Sequence, residues 1–92
     1  MNFADYDIIL TVYQVDKTNT NVMHEYNKLL KQLLLISEHT YEDDDNTEFD
    51  MTIHCCKLQL KDVTKILKYV KKIQKQMNKY DEYACFHVLV QL

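Results

Sequence analysis

Residues 7–15 (DIILTVYQV) form an apolar stretch rich in β-branched side chains and too short for a typical helix, which predicts a strand in the interior of a sheet. Residues 16–21 (DKTNTN) are polar punctuation. Over residues 20–37, Val22, Tyr26, Leu29, Leu30, Leu33 and Ile36 recur at helical spacing. The pattern predicts a long amphipathic helix, with Thr20 or Asn21 as its cap and Glu25 near its positive end. The second half repeats the order. Across residues 48–60, Phe49, Met51, Ile53 and Cys55 alternate onto one face before the phase shifts to Leu58 and Leu60. Such a slip predicts a strand with a bulge near Cys56 and Lys57. Residues 61–79 then set Val63, Ile66, Leu67, Val70, Ile73 and Met77 on one stripe, with Asp62 as the cap of a second helix. A closing strand follows over residues 83–92, where Ala84, Phe86, Val88 and Val90 alternate with Tyr83, Cys85, His87, Leu89 and Gln91.

Between the first helix and the long strand, residues 39–42 read as a short edge strand that turns back through residues 43–46 (DDDN). Asp and Asn tolerate positive φ best after glycine, so this run suits a turn in a chain that has no glycine. The predicted order is β-α-β-β-α-β in a single domain spanning residues 1–92. That is the α+β, ferredoxin-like split arrangement, with two helices packed on one face of a small antiparallel sheet. If residues 39–42 are only loop, three strands remain. The expected core comprises Leu10, Val12, Leu30, Leu33, Ile53, Ile66, Val70, Phe86 and Val88.

Composition narrows function mainly by exclusion. Glycine and proline are both absent from the 92 residues, where average usage would supply about 11. Collagen-like, flexible-linker and proline-rich classes are ruled out. So are the glycine-dependent phosphate loops of dinucleotide and Walker sites. All 11 basic residues are lysine, whereas planar bidentate recognition of phosphate or guanine is mainly the work of arginine. Direct sequence-specific nucleic-acid binding is not expected. The Lys-for-Arg bias, with abundant Asn, Ile and Tyr, has the character of coding from an AT-rich genome, as in many phages and other viruses.

No apolar run approaches the about 18 residues of a membrane span, and residues 1–7 carry two aspartates and no lysine, the wrong sign for a secretory signal. Three cysteines, two of them adjacent and none in CxxC spacing, suit a reducing compartment. The expectation is a cytoplasmic protein with no membrane association, in the host cytoplasm if viral.

Charge is uneven. Residues 38–50 hold seven of the 14 acids and no lysine, while residues 61–79 hold seven lysines and one acid. A helix face of lysines is ordinarily a solvated outer surface; its functional alternative is a weak phosphate or acidic-protein contact. For the acidic segment the two readings are a solvated hairpin tip and a partner-binding surface made by Glu42, Asp43, Asp44, Asp45, Glu48 and Asp50. The second would substitute for nucleic-acid phosphate in the basic groove of a partner, where complementary potentials steer association. Asp43, Asp45 and Thr47 have the alternate spacing of a calcium loop, but the needed glycine is missing and the twelfth place is His54 instead of glutamate.

His54, Cys55, Cys56, Cys85 and His87 are zinc-ligand types. Adjacent strand residues point to opposite faces, and an intervening strand would hold the two groups about 10 Å apart, too far for one centre. Cys85 and His87 share a face as a conceivable nucleophile and base, yet no third group or oxyanion hole accompanies them. No catalytic residue, metal ligand or cofactor is therefore assigned. The sheet face opposite the helices would carry Ile9, Thr11, Tyr13, Val15, Thr52, His54, Cys56, Tyr83, Cys85, His87 and Leu89. Its apolar character makes Ile9, Tyr13, Tyr83 and Leu89 a dimer or partner face. Base stacking on Tyr13 and Tyr83 would need a basic surround and a glycine-containing motif that this chain lacks.

The strand VYQV (12–15) and the run from Cys55 through the lysine-rich helix resemble the small ferredoxin-like Cas2 nucleases. That resemblance implies a metal-dependent nuclease with an aspartate ending the first strand. Gln14 stands at that place and the family's arginines are absent, so the implied metal ligand is missing. The reading that best fits the sequence is a small non-enzymatic binding protein, expected to be dimeric by its apolar sheet face. The expected class is a virus- or phage-encoded inhibitor of a host protein such as a defence nuclease, of anti-CRISPR or anti-restriction type. A Cas2-like nuclease and a structural or regulatory subunit are the alternatives.

Overall fold

The computed structural model describes residues 5–43 and 47–92. Its elements run β1 (Tyr6–Tyr13), α1 (Thr20–Ile36), β2 (Thr40–Glu42), β3 (Met51–Leu58), α2 (Leu60–Asn78) and β4 (Cys85–Gln91). The four strands form one antiparallel sheet in the order β2-β3-β1-β4. This is the ferredoxin-like βαββαβ fold, with the short β2 present as a true edge strand.

β1 sits inside the sheet because alternate residues serve both faces. Ile8, Leu10 and Val12 are fully buried on the helix side, while Ile9 and Thr11 are half-buried on the other. α1 is capped by Asn19, whose side-chain oxygen accepts the backbone N–H groups of Asn21 and Val22 at 3.1 and 3.3 Å. That corrects the expected Thr20 or Asn21: the residue just outside the helix has the extended backbone a cap requires. Glu25, expected near the positive end, lies beyond the first turn of α1, which holds no acid. It is buried, with Lys28 Nζ 3.1 Å from Oε2 and donating to Oε1 at 3.3 Å. α2 starts one residue earlier than expected, with Gln59 as the cap residue and the Asp62 carboxylate accepting the Gln59 N–H at 3.2 Å.

The phase slip in β3 has the predicted cause. β1 advances from Tyr6 to Ile8 while β3 advances from Leu58 to Cys55, so Cys56 and Lys57 together oppose Asp7. Lys57 adopts φ 57° and its N–H reaches Asp7 Oδ1 at 3.3 Å. The bulge keeps Met51, Ile53, Cys55 and Leu58 all on the buried side. Left-handed backbone at the described positions thus falls on Lys57 and Gln14. The expected Asp/Asn turn at residues 44–46 lies outside the described residues.

The core unites Leu10, Val12, Leu33, Ile53, Ile66 and Val70 as expected, and adds Val15, Val22, Tyr26, Leu29, Ile73 and Met77. Three members of the expected set, Leu30, Phe86 and Val88, are only half-buried against it. Phe86 and Val88 belong to a strand that has no neighbour on its outer side among the described residues, so they are covered from one side only; Leu30 lies on a flank of α1. Phe49 and Leu60, read as part of the buried alternation, are exposed because β3 ends at Met51 and Leu58. No helix among the described residues is long and apolar enough to cross a membrane.

Candidate functional site

The acidic segment leaves the sheet from its β2 edge. Glu42 ends β2 and is exposed; Asp43 is half-buried, with its N–H bonded to Thr52 O at 2.9 Å. Its carboxylate Oδ2 lies 3.2 Å from His54 Nε2. Tyr41 stacks on the His54 ring at 4.8 Å between centroids and 3° between planes, so Tyr41, His54 and Asp43 form a cluster at this edge. Asp44 and Asp45 lie outside the described residues. On the return, Glu48 is exposed and Asp50 half-buried.

Two contacts fasten this return to the link between β1 and α1. The Val15 N–H donates to Phe49 O at 2.8 Å, and Lys17 Nζ donates to Thr47 O at 2.6 Å. They turn the Phe49 ring outward, leaving it 60% exposed, beside a cavity of about 450 Å³. Gln14, Val15, Asp16, Glu48, Asp81 and Tyr83 help to line it. Left-handed backbone at Gln14 (φ 58°) lets the chain leave β1 at this point, and β1 consequently ends before Val15, which is buried instead of facing outward.

The groove joins exposed aromatic rings to carboxylates. Asp16 Oδ1 accepts the Thr18 hydroxyl at 2.6 Å and the Thr18 N–H at 3.0 Å. These bonds hold its carboxyl below the ordinary carboxylate range and keep it ionised. Asp81 Oδ1 accepts the Tyr83 N–H at 3.0 Å. With Glu48, three acids and Lys17 line the groove beside Phe49 and Tyr83 among the described residues. A cationic side chain with an apolar stem suits such a lining, since it can lay the stem on a ring and its head against a carboxylate.

Of the expected sheet-face set, Ile9, Tyr13 and Leu89 do share the open face, where Ile9 pairs in register with His54 on one side and Leu89 on the other. Tyr13 meets His87 edge-to-face at 6.4 Å. Tyr83 is the exception: β4 begins only at Cys85, and the tyrosine, 70% exposed, stands in the groove. Tyr41 joins the open face through His54, a neighbour the sequence reading missed because so short a strand gives no periodic signal.

The cysteines are dispersed. Cys55 is buried and accepts a 3.5 Å contact from the Thr40 hydroxyl, Cys56 is half-buried, and Cys85 is exposed on β4. Burial raises the Cys55 and Cys56 thiols. β1 separates β3 from β4, and no group of three His, Cys, Asp or Glu side chains converges to hold a metal among the described residues. Gln14, at the place where the Cas2 resemblance implies an acid, lines the groove as an amide.

No protein-family profile matches the chain, and no curated protein matches it. Solved structures do match its fold. The de novo designed protein Foldit4 superposes with a TM-score of 0.61 at 12% identity, over 97% of this chain and 98% of the designed one. Protein SP2199 from Streptococcus pneumoniae gives 0.54 at 14% identity, over 97% of this chain and 87% of its own. The de novo designed protein LFR1 1, with ferredoxin fold, gives 0.52 at 14% identity, over 96% of this chain and 85% of its own. These likenesses concern architecture alone.

Proposed function

We propose that this chain is a non-enzymatic binding protein that engages a basic surface of a host protein with the acidic end of its sheet. The observation that carries the reading is the groove in which Phe49 and Tyr83 stand exposed among Asp16, Glu48 and Asp81. It continues the acidic segment of Glu42, Asp43 and Asp50, with Asp44 and Asp45 between them in the sequence. Carboxylates on this end offer lysines and arginines the charge they meet on a nucleic-acid backbone, and the two aromatic rings add apolar contact where charge alone gives steering more than affinity. The partner class that fits is a nucleic-acid-binding protein such as a defence nuclease, and the AT-rich coding character supports a viral or phage source. No cofactor enters this role.

The test is capture from a host lysate on the immobilised protein, followed by elution with duplex DNA. The expected result is a captured protein that DNA displaces and that a Phe49→Ala, Tyr83→Ala variant no longer retains. Capture insensitive to both DNA and the double substitution contradicts the reading. Divalent-metal-dependent cleavage of labelled DNA or RNA by the purified chain would favour a nuclease instead.

A further inference from the structure

We infer that β4 is a self-pairing edge, on which a second copy of this chain adds its own β4 antiparallel to extend the sheet to eight strands. The inference stands apart from the acidic-end reading and shares no residue with it. β4 hydrogen-bonds to β1 on one side and has no strand on its other side among the described residues. A strand so placed presents unpaired N–H and C=O groups, and proteins that remain monomeric protect such edges with lysines, prolines, bulges or short length. This edge has none of these protections. Cys85–Gln91 is seven residues long and pairs with β1 without interruption in register, and residues 85–92 (CFHVLVQL) contain no Asp, Glu, Lys or Pro.

What covers the edge is indicated by its own symmetry. The midpoint of Cys85–Gln91 is Val88, so a two-fold axis through that residue sets Val88 against Val88, Phe86 against Val90, His87 against Leu89 and Cys85 against Gln91. Opposed side chains then fall on the same face, as antiparallel pairing requires. On the helix side the row Phe86, Val88, Val90 meets its own reverse. That supplies the missing cover of Phe86 and Val88, which are half-buried here, and of Val90, which is 40% exposed. On the open face Leu89, 43% exposed, gains the His87 ring of the second copy. No charge opposes a like charge anywhere along the seam. One contact of this kind satisfies both edges and closes the assembly at two copies.

Sedimentation over a concentration series tests this, with the wild type expected as a dimer. Val90→Lys puts an ammonium group into the seam while replacing a side chain that is exposed in the single copy, and should weaken dimerisation at least about 100-fold with an unchanged circular dichroism spectrum. Tyr13→Lys, on the open face, should leave the dimer intact. A second measurement does not depend on the charged variant folding. In the wild type the two Cys85 residues sit six positions out of register, about 20 Å apart, and should not cross-link across the seam. Gln91→Cys places the new thiol opposite Cys85 and should yield a covalent dimer on mild oxidation. A wild type that stays monomeric at the highest concentration overturns the inference. So does a dimer lost in Tyr13→Lys but kept in Val90→Lys, or a Gln91→Cys protein that oxidises without forming a covalent dimer.

Discussion

The two edges of this sheet solve the same exposure problem in opposite ways. β2 is three residues long, ends on Glu42, and is tied back by polar side chains. Thr40 donates to Leu33 O at 3.3 Å and Ser37 to Cys56 O at 3.1 Å, so the chain leaving α1 is fastened to both helix and sheet. The acids around it disfavour a further strand, and in the proposed function they meet a basic partner surface. β4 is more than twice as long, holds no Asp, Glu or Lys, and is apolar on its helix side through Phe86, Val88 and Val90. Charge makes one edge an electrostatic surface. Its absence makes the other a hydrogen-bonding template.

The strongest way to break the comparison is to remove the support both edges share. Leu10 and Ile53 are opposed on the two central strands and fully buried. Leu10→Ala or Ile53→Ala should cost about 2–5 kcal/mol. That is a large part of the about 5–15 kcal/mol expected for a whole domain, and denaturant midpoints should fall accordingly. Leu33→Ala belongs to the same class. At concentrations where the chain is monomeric, Phe86→Ala should cost only about 1–2 kcal/mol, since the ring is half-buried in the single copy, and an equal loss for Phe86 and Leu33 there would show that the β4 edge is covered without a second copy.

Lys57→Gly is expected to act in the other direction. A non-glycine residue in left-handed backbone carries about 1 kcal/mol of steric cost. Glycine removes that cost but gives the unfolded chain more freedom, so the net gain should be a few tenths of a kcal/mol, read as a small rise in melting temperature. Thiol labelling sharpens the contrast without changing stability. Cys85 on the exposed edge should react first, Cys56 more slowly, and Cys55 only on unfolding, because burial both hides its sulfur and disfavours the thiolate. Early modification of Cys55 would mean that β2 opens readily from β3.

The architecture was legible in the sequence because each element carried its own period. The shift from Cys55 to Leu58 even located the bulge. The helix caps lie one to three residues before the expected ones, at Asn19 and Gln59, because neither residue has apolar periodicity to mark it. The groove was less legible, since its residues come from three links between elements and depend on the Val15 backbone bond to Phe49 and the Lys17 side-chain bond to Thr47. Phe49, an aromatic residue in an alternating run, gives the signal of a core side chain until the strand is known to end at Met51. Tyr83 was displaced from the sheet face for the same reason at the start of β4. The acidic cluster could be read as composition, but the aromatic pair inside it could not.

The most direct test of the central claim, that the acidic end recognises a basic partner, is binding of the captured partner at two salt concentrations. It compares the wild type with the variant carrying Asp43→Asn, Asp44→Asn and Asp45→Asn. The substitutions should lower stability by no more than about 1 kcal/mol, through the contact of the half-buried Asp43 carboxylate with His54, and circular dichroism confirms the fold before binding is measured. The account predicts weaker binding for the variant and a flatter dependence on salt, because the charges that steer association have been removed. Equal affinity with an equal salt slope in the folded variant would contradict it.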